Sequence, residues 1–339
     1  CRRVSLAATI VPMDRLLIVS NRLPVSIRRR NGRPSVVAST GGVATGLGAV
    51  HSEQHGLWIG WPGSSEAWSD HQWAGVEADL AARGLQPVPM SADEVNGFYA
   101  GFSNGVLWPL CHYMLDRIPL DTRHWNVYRD VNRRFAEEVV RAHRPGDTIW
   151  VNDYHLMLVP AMVRAQVPDA RITYFHHIPF PSFEIFRTLP WRQSLLEGLL
   201  GADLIGVHTD SYAQHLQTAF RRALGADIGP RDIGWQGRRV RVGAYPMGIG
   251  ATRIEQLADR PAVREEAERI RRDAGGRAIL LGVDRLDYTK GIPRRLLAFE
   301  VRQFRLRCLP GTVGGQIVEV AGDADIASPR NQLARFLAR

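Results

Sequence analysis

Of the 43 basic residues in this 339-residue chain, one alone is a lysine, Lys290. It lies in Val283-Asp284-Arg285-Leu286-Asp287-Tyr288-Thr289-Lys290-Gly291, where an apolar run gives way to a polar loop and then to a helix. Arginine is a planar, permanently charged fork, whereas lysine is a point charge on a flexible stem that reaches into a confined phosphate site. Arg285 stands five residues earlier on the same loop. Two fixed cations at a strand's exit suit a phosphorylated ligand, and α/β proteins bind ligands at the carboxyl ends of their strands. The alternative is chance survival of one surface lysine in an arginine-biased chain.

Four other groups could do related chemistry. Ser20-Asn21-Arg22 ends the first expected strand, and Gly41-Gly42-Val43-Ala44-Thr45-Gly46-Leu47-Gly48 follows. A glycine pair before a helix exposes N–H groups where the helix dipole favours an anion. The spacing is not GxGxxG directly after a strand, so it gives no support to a dinucleotide site. The aromatic group is Trp58, Trp61, Tyr99, Trp108 and Tyr113. Aromatic faces with polar edges pack against sugar rings. Trp58 is expected in the core. Trp61, beside Pro62-Gly63, is expected to line a cleft, and Tyr99 and Trp108 flank a polar segment unlike a core stripe. In Trp150-Val151-Asn152-Asp153-Tyr154-His155, the Asp153 carboxylate is costly at the end of a buried strand unless partnered. It either caps the next helix or accepts hydrogen bonds from a sugar. In Phe175-His176-His177-Ile178-Pro179-Phe180-Pro181 the adjacent histidines point to opposite faces of a strand. Nothing nearby completes a metal cluster. His177 is therefore read as facing the cleft, His176 as structural, and no metal is expected.

The elements that must position these groups alternate. Short apolar strands are expected at Leu16–Ser20, Leu57–Trp61, Thr148–Asn152, Ile172–His176, Leu204–His208, Val240–Tyr245, Ile279–Val283 and Ile317–Ala321. Between them lie amphipathic helices. One carries Trp125, Tyr128, Val131, Phe135 and Val139 at spacings of three and four, and another spans Pro293–Arg307. Continuous apolar strands between helices imply a parallel sheet covered on both faces. Proline and glycine near Tyr245-Pro246-Met247-Gly248 suggest an interdomain crossing. The expected organisation is an upstream extension at 1–13, an N-terminal Rossmann-like domain at 14–245, and a partial C-terminal domain at 246–339.

Composition narrows the classes. Hydrophobic residues make up 45% and charged residues 23%, as in globular proteins. No segment offers the apolar length of a membrane span. The net charge of +9 comes from arginines dispersed among carboxylates, with no nucleic-acid-binding motif. Three distant cysteines form no disulfide framework, which suggests a reducing, cytoplasmic setting.

Taken together, SNRLPV, the Gly41-Gly42 pair, GFSNGVLWP, WVNDYHLM, HHIPFP and VDRLDYTKG resemble the trehalose-6-phosphate synthase family of retaining nucleotide-sugar glycosyltransferases, from about Arg15 to about Arg307. The resemblance implies two facing Rossmann-like domains of the GT-B type. It implies UDP-glucose as donor substrate, glucose 6-phosphate as acceptor and no cofactor. By position, Arg22 grips the acceptor phosphate, while Tyr99, Trp108, Asp153 and Trp61 hold the acceptor. Gly41 and Gly42 lie against the donor diphosphate, His177 meets the donor glucose, and Arg285 and Lys290 neutralise UDP. His177, Asp153, Arg285 and Lys290 form the catalytic set. After Leu306 the resemblance ends, and the family's later acidic motif is absent. An incomplete second domain and little or no activity of the chain as it stands are therefore expected. A glucosylglycerol-phosphate synthase-like or pseudo-glycosyltransferase activity, and a non-catalytic sugar-phosphate-binding remnant, are the alternatives. A homo-oligomer is compatible with the sequence.

Overall fold

The computed structural model describes residues 15–39, 47–48, 50–51, 56–119, 123–248, 250–276, 279–284, 287–300, 304–309 and 316–322. It divides into two compact units, with the boundary between Met247 and Gly248. Gly41, Gly42 and Arg285 lie outside the described residues.

The described residues of the first unit hold eleven strands: β1 (Leu16–Arg22), β2 (Val25–Arg30) and β3 (Arg33–Ala38) form its start, followed by β4 (Leu57–Trp61), β5 (Leu85–Pro87), β6 (Thr148–Asn152), β7 (Arg171–Phe175), β8 (Leu204–Val207), β9 (Asp227–Ile228), β10 (Asp232–Trp235) and β11 (Arg238–Ala244). Of these, β2 and β3 form a separate hairpin, and the other nine make one sheet in the order β5-β4-β1-β6-β7-β8-β11-β10-β9. Pairing is parallel from β5 to β11 and antiparallel only at the β10 and β9 edge. Successive side chains of β1 enter different cores. Leu17 and Val19 join the large cluster with Phe98, Tyr128 and Phe135, and Leu16 and Ile18 join the smaller one with Trp58 and Leu80. A strand covered on both faces must be apolar throughout, as LLIV is.

The helix Arg123–Ala142 buries Tyr128, Val131, Asn132, Phe135, Ala136 and Val139, one face at the helical period. It packs on Val95–Leu107, which is wound as a π-helix. A Cβ on Gly97 would press on Val127 at 2.9 Å, so the missing side chain lets the two helices approach. The β2–β3 hairpin, not expected from the sequence, turns at Asn31 and Gly32, both at positive φ. Asn-Gly is the dipeptide that favours this type I′ geometry.

The second unit holds two helices, Ala251–Ala258 and Pro261–Ala274, then β12 (Leu280–Asp284), a single 3-10 turn over Tyr288–Lys290, and the helix Ile292–Glu300. The helix expected as far as Arg307 ends at Glu300, because Phe304–Leu309 is a strand, β13. There Phe304, Leu306 and Cys308 alternate with Arg305 and Arg307, a period of two rather than 3.6. With β14 (Gln316–Gly322) it forms an antiparallel sheet in the order β12-β14-β13. Among the described residues no helix is long and apolar enough to cross a membrane.

Candidate active site

The chain leaves β1 toward β4 and β5 on one side, and returns through Arg123–Ala142 to β6 on the other. The sheet's switch point therefore lies between β1 and β6, and the crevice beyond their carboxyl ends is where open α/β sheets bind ligands. Arg22 ends β1, Trp61 ends β4, Asp153 follows β6, and His177 lies two residues after β7. Four of the expected site residues thus reach one edge of the sheet through topology alone.

Arg22 is set there by backbone packing. The β1–β4 register shifts between Val19 and Arg22. A Cβ on Gly60 would lie 2.8 Å from the Ser20 carbonyl and 3.0 Å from the Arg22 carbonyl carbon, so only glycine fits beside the end of β1. The Arg22 guanidinium lies over the Trp61 ring at 4.9 Å and donates to Ser26 Oγ at 3.2 Å. Gly63, at φ +73°, presents its bare Cα to the same guanidinium. Trp61 donates from Nε1 to the Ser64 carbonyl at 3.1 Å, which holds its ring beneath the cation.

From Trp61 the aromatic contacts continue without a gap. Tyr99 lies 6.2 Å from Trp61 and stacks on His155 at 5.6 Å and 11°. His155 meets Tyr154 at 3.9 Å, and Tyr154 meets Trp108 at 5.8 Å. The π-helix explains why Tyr99 and Trp108 share a face. Nine residues of α-helix, at about 100° each, would place them on opposite sides. At roughly 4.4 residues per turn, the wider i→i+5 winding makes nine residues close to two whole turns. The pair is visible in the sequence, whereas the π-winding that unites it is not. The Tyr154 hydroxyl donates to Asn104 Oδ1 at 2.8 Å, tying the turn after β6 to this helix.

Asp153 sits at φ 76° and ψ 163°, a region that residues with a Cβ rarely occupy. Its N–H donates to the Phe175 carbonyl at 2.7 Å, and its Oδ1 accepts the N–H groups of Tyr154 at 2.9 Å and His177 at 3.2 Å. It thus caps the turn Tyr154–Leu156, and Oδ2 is directed to within 3.9 Å of His155 Nδ1. Burial pushes its carboxyl up to about 7 against the opposing pull of the two N–H groups, although 14% of the side chain remains accessible.

The histidines around it are held neutral. Burial lowers His177 to about 4, with His208 adding to the effect, and lowers His155 to about 3, with His176 and His177 contributing. His177 Nε2 pairs with Asn152 Oδ1 at 2.9 Å, and because an amide oxygen accepts, Nε2 carries the proton. His208 Nε2 donates to the His177 carbonyl at 3.2 Å. His176 is 1% exposed and pairs with the Tyr174 hydroxyl at 2.9 Å, facing the core. His155 was not singled out from the sequence. Both of its ring nitrogens are buried without a hydrogen-bond partner, and its place two residues after Asp153 in a strand-end turn was the available signal.

Arg22, Trp61, Tyr99, Trp108, Asp153 and His177 therefore gather in the first unit. Lys290 belongs to the second, exposed at the end of the turn after β12, where Asp287 Oδ1 accepts from Thr289 N at 2.9 Å.

The profile of glycosyltransferase family 20 matches residues 14–305. The chain belongs to glycosyltransferase family 20. It is 43% identical over 294 residues to a trehalose-6-phosphate synthase of Mycolicibacterium vanbaalenii, covering 84% of this chain and 60% of that protein. It is 42% identical over 297 residues to a bifunctional trehalose-6-phosphate synthase/phosphatase of Thermoproteus tenax, covering 84% and 40%. A solved trehalose-6-phosphate synthase superposes with a TM-score of 0.69 at 29% identity, over 85% of this chain and 61% of that one. An E. coli structure described as bound with UDP-2-fluoro glucose gives 0.68 at 28%, over 84% and 60%. This family 20 chain thus spans 60% or less of the length of these curated relatives.

Proposed function

We propose that the protein transfers glucose from UDP-glucose to the anomeric hydroxyl of glucose 6-phosphate, with retention, forming trehalose 6-phosphate and UDP. The observation that supports this most is the unbroken series Arg22–Trp61–Tyr99–His155–Tyr154–Trp108 at the switch point of a family 20 chain. It offers a cation for a phosphate at one end, then aromatic faces and a carboxylate for a sugar.

In this reading Arg22 takes the acceptor phosphate, with the Trp61 ring fixing the guanidinium plane. Tyr99 and Trp108 flank the sugar, Asp153 accepts hydrogen bonds from its hydroxyls, and the neutral His155 backs the Tyr99 ring by stacking on it. His177, with Nε2 tied to Asn152, keeps Nδ1 for the donor glucose. Gly41 and Gly42 against the donor diphosphate, and Arg285 with Lys290 neutralising it, complete the assignment from the family resemblance. The bond from the glucose anomeric carbon to the UDP oxygen breaks, and a bond to the acceptor oxygen forms on the same face. The departing phosphate takes the acceptor's proton. Fixed cations stabilise the charge that develops on UDP. UDP-glucose is consumed as a substrate, and no protein nucleophile is required.

Calorimetry with glucose 6-phosphate tests the acceptor half, and coupled detection of UDP tests the transfer. Saturable binding weakened at least about tenfold by Arg22→Ala is expected, with UDP release only when both sugars are present. Equal affinity in the variant refutes the assignment of Arg22, and UDP release independent of glucose 6-phosphate refutes the acceptor.

A further inference from the structure

A second basic basin lies elsewhere in the first unit. A cavity of about 560 Å³ is lined by Phe183, Arg187, Arg192, Gln193, Arg222 and Ala223 among others, and by none of the candidate active-site residues. Three arginines line it, from the segment after the His-His-Ile-Pro motif, the start of the helix Arg192–Leu199, and the last turn of the helix Asp210–Leu224. One carboxylate, Glu184, pairs with two of them: Arg187 Nε at 3.0 Å and Arg222 Nη1 at 2.8 Å. Arg192 Nη1 donates to the Leu189 carbonyl at 3.0 Å. Arg222 also lies over the Phe183 ring at 5.3 Å.

We propose that this basin binds a small phosphate monoester as its dianion, between Arg187, Arg192 and Arg222. Three cations against one carboxylate leave a surplus of two positive charges. Glu184 holds Arg187 and Arg222 in place, each through a single nitrogen, so their forks retain donors for a second acceptor. A monoanion gains little by competing with that carboxylate, whereas a dianion with three acceptor oxygens matches the surplus and the forked geometry. Because exposed ion pairs contribute little, displacing or sharing Glu184 costs little. Phe183 and Ala223 form an apolar wall for an organic substituent. The inference does not depend on the proposed transfer reaction.

The test uses the chain at pH 8 and low salt, titrated with inorganic phosphate, phenyl phosphate and acetate. Affinity is followed by calorimetry, and the site by backbone-amide NMR. Shifts are expected around residues 183–193 and 222–223, with phenyl phosphate binding more tightly than inorganic phosphate and acetate binding at least about tenfold more weakly. If inorganic phosphate equals phenyl phosphate, the monoester assignment fails and the basin is a site for the free ion. Arg187→Ala with Arg222→Ala is expected to weaken phosphate binding at least about tenfold, while Arg22→Ala leaves the shifts in this basin unchanged. Glu184→Gln, which keeps the side chain's size, is expected to tighten binding by about threefold by removing the competing charge. That variant also guards against misfolding of the double mutant. Unchanged binding in the double variant, weaker binding in Glu184→Gln, or shifts confined to the Arg22 region would overturn the proposal.

Discussion

His177 donates its backbone N–H to the Asp153 carboxylate at 3.2 Å, on the same Oδ1 atom that caps Tyr154. The ends of two neighbouring strands, β6 and β7, are thereby joined through one side-chain oxygen. This ties the orientation of Oδ2 to the path of the His-His-Ile-Pro segment. A backbone held at φ 76° makes that possible, since an ordinary extended residue would turn the carboxylate elsewhere.

Asp153 should show itself first in stability. Its carboxyl ionises near 7 in the folded chain and near 3.8 when exposed, so the unfolded state loses its proton first. The contribution is most favourable to folding below 3.8 and is lost as pH rises toward 7. Asp153→Asn, which keeps an Oδ1 for both N–H donors, should gain on the order of 3 kcal/mol over the parent at pH 8 relative to pH 4. Urea unfolding of both proteins at the two pH values checks this.

The same group should make acceptor binding depend on pH. An ionised carboxylate accepts hydroxyl hydrogen bonds more strongly than a neutral one. Affinity for glucose 6-phosphate should therefore rise as pH passes from 6 to 8. In Asp153→Asn that part of the rise should vanish, leaving only the ligand's own phosphate ionisation.

The histidines should act in the opposite direction from Asp153. His155, His176 and His177 resist protonation down to about 3, 3 and 4 because burial opposes charge. When unfolded they protonate near 6.5. The stability they contribute is full above 6.5 and is lost as pH falls through that window. Three protons, offset by the one retained on Asp153, give a slope on the order of 2 kcal/mol per pH unit between 6.5 and 4. His155→Gln should flatten it. Carbon-13 NMR of the imidazoles should find His155 neutral at pH 5.

Gly63 should matter through Arg22. A methyl group there meets the guanidinium and also strains a residue at φ +73°. Gly63→Ala should cost about 1–2 kcal/mol of stability and weaken glucose 6-phosphate binding toward the level of Arg22→Ala. A calorimetric titration alongside thermal melting separates the two effects.

Lys290 tests the donor reading. Lys290→Ala should weaken UDP binding about tenfold and leave glucose 6-phosphate binding to the first unit unchanged. UDP affinity unaffected by the change would remove Lys290 from the donor site.

The local patterns were legible in the chain. Apolar runs marked the buried strands, and Leu57–Trp61 and Thr148–Asn152 occupy the residues expected of them. The stripe from Tyr128 to Val139 marked a helix, and Trp58 is fully buried as its setting suggested. These features depend on neighbours one to four residues away, which any stretch of sequence contains. The order of the strands does not. That β1 lies between β4 and β6, which brings the strand ends carrying Arg22 and Asp153 side by side, depends on pairing Leu17 with Leu57 and Leu16 with the far more distant Thr148. Short strands such as Leu85–Pro87 carry too few residues for a period, and Phe304–Leu309 looked like the continuation of a helix. The π-winding that turns Tyr99 and Trp108 to one side, the burial that moves Asp153 to about 7, and the orphaned nitrogens of His155 arise only when distant segments exclude water together. Residue type sets what each group can do, and packing decides which groups meet and in which state of charge.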